Sequence, residues 1–210
     1  MRRTRVKICG ITNAEDAAGA VASGADALGF NFFPGSVRYT GAESARDIAA
    51  ELPAFVAKVA LFVNESVEGI ESTLKVFQPD LLQFHGDETP DFCGQFGLPY
   101  IKAMAATGEP GFAESVADYR DARGVLLDTK ANGSFGGTGE TFDWSLVPAL
   151  SMPVILAGGL NAGNVREAIR QVSPYAVDVS GGVERSKGQK DIDKMQAFCA
   201  AVREADQEKL

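Results

Sequence analysis

Short apolar runs alternate with amphipathic stretches from one end of the chain to the other, the pattern of repeated βα units around a parallel sheet. Eight runs read as strands: Val6 to Ile11, Ala27 to Phe33, Phe55 to Val63, Leu81 to His85, Tyr100 to Ala105, Gly124 to Thr129, Val154 to Ala157 and Ala176 to Ser180. Each is rich in β-branched residues, leucine or aromatics, and most end beside glycine or a polar residue. The stretches between them predict helices over Asn13 to Ser23, Ala42 to Leu52, Val67 to Phe77, Asp91 to Phe96, Phe112 to Ala122, Ala162 to Val172 and Asp191 to Ala205. Thr12 or Asn13 can cap the first, and Thr89 before Pro90 suits the start of the fourth. The unit after the sixth strand breaks the rhythm. Ala131 to Thr141 is too rich in glycine for a helix and reads as a mobile active-site loop, with a short helix at Asp143 to Leu150 completing the unit.

An open, doubly wound sheet shares this alternation, but the count of eight units favours closure into a single-domain α/β fold, the (β/α)8 TIM barrel. A chain of 210 residues with 45% hydrophobic content is long enough for one such barrel and short for two domains, so residues 1–210 are expected to form one domain. Parity within the strands sharpens the picture, because barrel side chains alternate between the interior and the surrounding helices. Lys7 and Cys9 share one face; so do Leu126, Asp128 and Lys130, and so do Asp178 and Ser180. Gln83 with His85, and Lys102 with Met104, read the same way, as inward residues forming a polar cup near the strand ends.

Charge and cysteine content narrow the partners. With 20 basic against 28 acidic residues the formal charge is -8, which argues against nucleic acid, so an anionic ligand must be held locally. No apolar stretch is long enough to span a bilayer, and the basic start lacks the apolar run of a signal peptide. The three cysteines, Cys9, Cys93 and Cys199, are odd in number and far apart, which suits reduced thiols in the cytoplasm. Oligomeric state is not legible from these helices.

The chemistry gathers at strand ends. Cys9 closes the first strand run and Asp128 the sixth, so a barrel would bring a thiol and a carboxyl to one rim as candidate base and acid. Arg38, in the loop after the second strand, can fork onto a carboxylate. His85, the one histidine, either lines the pocket or hydrogen-bonds within the rim. Two glycine clusters, Ala157-Gly-Gly-Leu-Asn161 and Asp178-Val-Ser-Gly-Gly-Val-Glu184, follow the seventh and eighth strands, where such barrels hold phosphate. They make Gly158, Gly159, Ser180, Gly181 and Gly182 the candidate phosphate-binding residues. Neither cluster is a nucleotide loop, so ATP and NAD are not inferred and the ligand reads as a sugar phosphate.

Other chemistries compete for the same pocket. Lys7, Lys58, Lys102 and Lys130 all come from strand-like runs, which keeps a Schiff-base aldolase in view. A metal-dependent epimerase would want several histidine and carboxylate ligands, and the lone histidine speaks against it. A phosphate-ligand sensor that has lost its chemistry would have no use for Cys9 and Asp128.

The sequence resembles the phosphoribosylanthranilate isomerase family over nearly its whole length. The resemblance is carried by Lys7-Ile-Cys-Gly-Ile-Thr12, Gly29-Phe-Asn-Phe-Phe-Pro34 with Ser36-Val-Arg-Tyr39, Gln83-Phe-His-Gly86, Leu126-Leu-Asp128, Gly136-Gly-Thr-Gly139 with Phe142-Asp-Trp144, and the two glycine clusters. It implies Cys9 as general base, Asp128 as general acid and Arg38 as partner of the substrate's anthranilate carboxylate. His85 and Asp178 join the substrate-binding set, and the glycine clusters hold the phosphate. The implied reaction is an Amadori rearrangement of a small-molecule phosphosugar in tryptophan biosynthesis, with no cofactor and no metal. Gly35 and Glu140 depart from the family pattern, where basic residues are common.

Overall fold

The computed structural model describes residues 3–106, 109–129 and 141–208. Eight parallel strands pair in chain order and close: β1 (Arg5–Cys9), β2 (Ala27–Asn31), β3 (Ala57–Phe62), β4 (Leu81–Phe84), β5 (Tyr100–Ala105), β6 (Val125–Asp128), β7 (Val154–Leu156) and β8 (Ala176–Val179). The seam is the pairing of β1 with β8, with Lys7 opposite Asp178. Helices α1 (Ala14–Ser23), α2 (Ala42–Ala50), α3 (Val67–Val76), α4 (Pro90–Gly94), α5 (Phe112–Ala117), α6 (Val165–Val172) and α7 (Ile192–Gln207) follow the strands, giving the single-domain (β/α)8 barrel. No helix among the described residues is long and apolar enough to cross a membrane.

Local chemistry accounts for many of the boundaries. The Asn13 side chain accepts from the Asp16 N–H to start α1, and Thr89 accepts from the Phe92 N–H to start α4, with Pro90 in the first turn. Strand β3 begins at Ala57 rather than Phe55, because Phe55 is fully exposed and holds a positive φ of 71° that no strand residue adopts. The expected helix over 143–150 is only a 3-10 turn at Trp144–Leu146. Val147 precedes Pro148 and is extended, which stops the turn from propagating. Helix α6 starts three residues later than the pattern suggested, since Asn161 accepts from the Gly163 N–H and Asn164 from the Asn161 N–H, holding the chain in tight turns up to that point. The glycine-rich loop around Gly136 to Gly139, with Lys130 and Glu140, lies outside the described residues.

The closed sheet separates two cores. Ile101, Ala103, Leu126, Ile155, Ala157 and Ala176 fill the inside, while Val6, Ile8, Leu28, Phe30, Leu127 and Val177 belong to the larger layer between strands and helices. This confirms the parity of Leu126 against Leu127 and corrects that of β5. Lys102 pairs in register with Phe84, and Ile101 with Gln83, so Lys102 and Met104 face the helices and Ile101 and Ala103 face inward. An alternating strand offers two faces, and a lysine alone does not say which is wet. Lys102 is 4% exposed and solves its burial outside the barrel, where its ammonium donates to the Gly86 carbonyl and pairs with Glu88 at 3.3 Å. Glu88 in turn accepts from the N–H groups of Asn64 and Gly86. Lys58 likewise shares the outer face with Leu28 and pairs with Asp80 at 3.6 Å. Two of the lysines that a Schiff-base enzyme would need inside are therefore outside.

Removing one partner of a buried pair leaves a bare charge. Lys102→Met is expected to lower unfolding free energy by about 3 kcal/mol in urea titrations while leaving catalytic turnover at low temperature close to that of the parent.

Candidate active site

Cys9 is the last residue of β1 and Asp128 the last of β6, so both stand at the C-terminal rim of the barrel. Cys9 packs with Leu61, Val63 and Phe33, and Asp128 lies two residues beyond the inward Leu126, which puts both on the interior side. Room for the thiol is made by Gly29, its register partner on β2: a Cβ there would come within 2.7 Å of the sulfur.

A buried charge pair lies directly beneath. The Lys7 ammonium donates to Asp178 at 2.9 Å, with the two side chains 6% and 8% exposed, and it shares the inner face of β1 with Cys9. Burial pushes the Cys9 thiol up, and the Lys7 charge pulls against that rise. Burial lowers Lys7, but the negative charge of Asp178 and the influence of Cys9 outweigh it and keep the ammonium protonated. The other thiols are set apart by burial, which raises Cys93 to about 12 and Cys199 to about 11.

His85 sits between Gln83, its expected same-face neighbour, and Asp128, which the sequence did not link to it. Its Nε2 lies 3.3 Å from Asp128 Oδ2, and the Gln83 amide nitrogen lies 2.9 Å from its Nδ1. The imidazole is thus bracketed, with one ring nitrogen against the amide and the other facing the carboxyl. Gln83 is itself wholly buried.

Arg38 lies over the end of β1, its aliphatic stem so close to Gly10 that a Cβ there would meet Arg38 Cδ at 2.6 Å. Its guanidinium forks onto Glu184 at 2.7 and 2.9 Å, and Glu184 also meets the Lys190 ammonium at 3.0 Å. Glu184 and Lys190 arrive on an antiparallel hairpin, β9 (Glu184–Ser186) and β10 (Gln189–Lys190), which has no forerunner in the predicted elements. Glu184 closes the second glycine motif, so a charged residue was visible there. That it would pair with Arg38, 146 positions away, was not, and Lys190 carried no sequence signal at all.

The two glycine clusters meet in space. Gly158 and Gly159 take positive φ values of 80° and 62°, which turn the chain over Asp128: a Cβ on Gly158 would collide with Thr129 and approach Asp128 Oδ1 at 3.1 Å. Gly182 packs so tightly on the Leu160 carbonyl that no side chain fits. A 3-10 turn at Gly181–Val183, preceded by Ser180, joins β8 to β9, and the Lys190 ammonium donates to the Ser180 carbonyl at 3.2 Å. Among the described residues no group of three or more His, Cys, Asp and Glu side chains is arranged to hold a metal ion.

Residues 6–201 match the family described as N-(5'phosphoribosyl)anthranilate (PRA) isomerase. The chain belongs to this family. It is 55% identical to the N-(5'-phosphoribosyl)anthranilate isomerase of Pseudomonas savastanoi pv. phaseolicola, over 96% of this chain and 98% of the relative. Among solved structures, phosphoribosyl anthranilate isomerase from Thermotoga maritima superposes with a TM-score of 0.86 at 44% identity, covering 96% of this chain and 99% of that one. A family structure in complex with reduced 1-(o-carboxyphenylamino)-1-deoxyribulose 5-phosphate superposes with a TM-score of 0.82 at 41% identity over the same shares.

The space that Gly29 leaves for the thiol yields a direct test. Gly29→Ala is expected to displace the Cys9 sulfur and cut kcat by about 10²-fold, with KM changed far less, in steady-state assays of the isomerase reaction.

Proposed function

We propose that Cys9 and Asp128 serve as base and acid in the isomerisation of N-(5'-phosphoribosyl)anthranilate, the reaction for which the family is named. One observation carries the assignment: a thiol and a carboxyl close β1 and β6 on the inner side of one barrel rim. Asp128 protonates the furanose ring oxygen, and the ring carbon–oxygen bond breaks to give an open-chain iminium ion. Cys9 then removes the proton from the second sugar carbon, and the resulting enolamine tautomerises to 1-(2-carboxyphenylamino)-1-deoxyribulose 5-phosphate. Bonds and protons balance within the substrate, so the step calls for no cofactor. It is an aldose–ketose isomerisation of tryptophan biosynthesis.

The surrounding residues fit supporting roles. His85, held by Gln83, orients Asp128 and lines the pocket, while Asp178 keeps Lys7 charged beside the thiol. Arg38 receives the anthranilate carboxylate, and Gly158, Gly159, Ser180, Gly181 and Gly182 receive the phosphate through backbone N–H groups. That the related enzyme accommodates the reduced carboxyphenylamino-deoxyribulose phosphate supports a ligand with an acid at one end and a phosphate at the other. On this reading the whole chain is one phosphate-binding domain, and its three free, buried cysteines suit the cytoplasm.

Cys9→Ala and Asp128→Asn are each expected to lower kcat by about 10² to 10⁴-fold with the fold retained by circular dichroism. Loss of anthranilate-substrate fluorescence reports turnover, and near-normal rates in either variant would remove that residue from the mechanism. Because burial raises the Cys9 thiol, the thiolate is the minor form near neutrality. The limb of kcat/KM governed by Cys9 therefore rises with pH, by about tenfold per unit below the thiol's pKa. Lys7→Met removes a charge that pulls that pKa down, so its profile is expected to shift toward alkaline pH.

A further inference from the structure

The Arg38 guanidinium has one edge already committed. Its Nε and Nη2 donate to the two Glu184 carboxylate oxygens, a fork-to-fork pair with the side chains 14% and 4% exposed. A guanidinium offers five N–H donors in a plane, so the fork leaves the Nη1 pair and one Nη2 N–H along the adjoining edge. An arginine held this way can accept a second carboxylate without releasing the first.

Charge raises a further question, since an arginine neutralised by its own partner attracts an anion weakly. Lys190 answers it: its fully buried ammonium lies 3.0 Å from Glu184 Oε1, so the cluster of two cations and one anion retains a net positive charge. The hairpin carrying both residues is pinned on either side. The Lys190 N–H donates to Asp16 at 3.0 Å, and Lys194 donates to the Glu184 carbonyl at 2.7 Å. Glu184 is thereby fixed before any ligand arrives, as preorganised recognition demands.

We propose that Glu184 is a positioning residue that holds Arg38 with its free edge turned to the substrate's carboxylate, and that Lys190 supplies the counter-charge that keeps the held arginine attractive to an anion. The inference rests on the reading that Arg38 meets that carboxylate, and it adds the part of the site that determines specificity for an acidic aryl group.

The test compares two substrates: N-(5-phosphoribosyl)anthranilate and the analogue without the carboxylate, made by condensing aniline with ribose 5-phosphate. The readout is the ratio of their kcat/KM values, which a purely structural defect or a weakened phosphate loop would leave unchanged because both substrates suffer alike. Glu184→Gln and Lys190→Met are each expected to lower that ratio by about tenfold or more. The double variant Glu184→Gln/Lys190→Met buries no lone charge at these two positions and is expected to show the same selective loss even if a single variant fails to fold. An unchanged ratio in variants that fold overturns the proposal. Arg38→Gln separates the two levels. If it leaves the ratio unchanged, the carboxylate reading of Arg38 itself falls; if it lowers the ratio while Glu184→Gln does not, only the positioning role is lost.

Discussion

Closing eight parallel strands on themselves forces every second side chain of each strand into one narrow interior, and the chemistry of this protein depends on that constraint. The lower interior is apolar, filled by residues such as Ile101, Leu126 and Ile155. Polar residues reach the inside where the strands end or where a partner comes with them. Cys9 and Asp128 occupy strand ends, and Lys7 is admitted one step lower because β8 carries Asp178 opposite it in the register that closes the barrel. The seam of the sheet and the charge beneath the thiol are thus one structural event.

Buried ions recur, and each answers the same energetic problem in a different place. A lone charge in the interior costs several kcal/mol, so Lys7 has Asp178, Lys102 has Glu88, and Glu184 has both Arg38 and Lys190. The Lys102 cluster lies outside the barrel and ties the loops after β3 and β4 together through the N–H groups of Asn64 and Gly86. The Glu184 cluster lies at the rim and leaves one arginine edge free. Lys102 spends its ammonium on Glu88 and backbone carbonyls, whereas the fork onto Glu184 engages two of the five N–H groups of Arg38, so clusters built of the same residue types differ in the donors they leave over.

The glycine loops solve a packing problem. Gly158 must pass over Asp128, and Gly182 must pass against the Leu160 carbonyl, so the loops after β7 and β8 lock together over the acid. Their backbone can then approach an anion with no side chain in the way. On the proposed reading of these loops, a protein with a formal charge of -8 holds its phosphate by local geometry rather than by overall attraction.

The sequence by itself determined the eight βα units, the parity of Cys9 and Asp128, the caps at Asn13 and Thr89, and the glycine clusters behind the last two strands. These are local features, set by side-chain period, by capping chemistry and by residues that permit unusual backbone angles. The folded chain alone decided that Lys102 faces the helices, that the segment 143–150 makes a single 3-10 turn, and that a hairpin brings Glu184 and Lys190 to Arg38. It also brought Asp128 at the end of β6 to the Gln83 and His85 pair at the end of β4, with β5 between them. Each of these, the proline-stopped turn apart, depends on pairing between residues far apart in the chain. A charged side chain carries the same local signature whichever distant partner it will find, so only closure of the barrel selects among the partners.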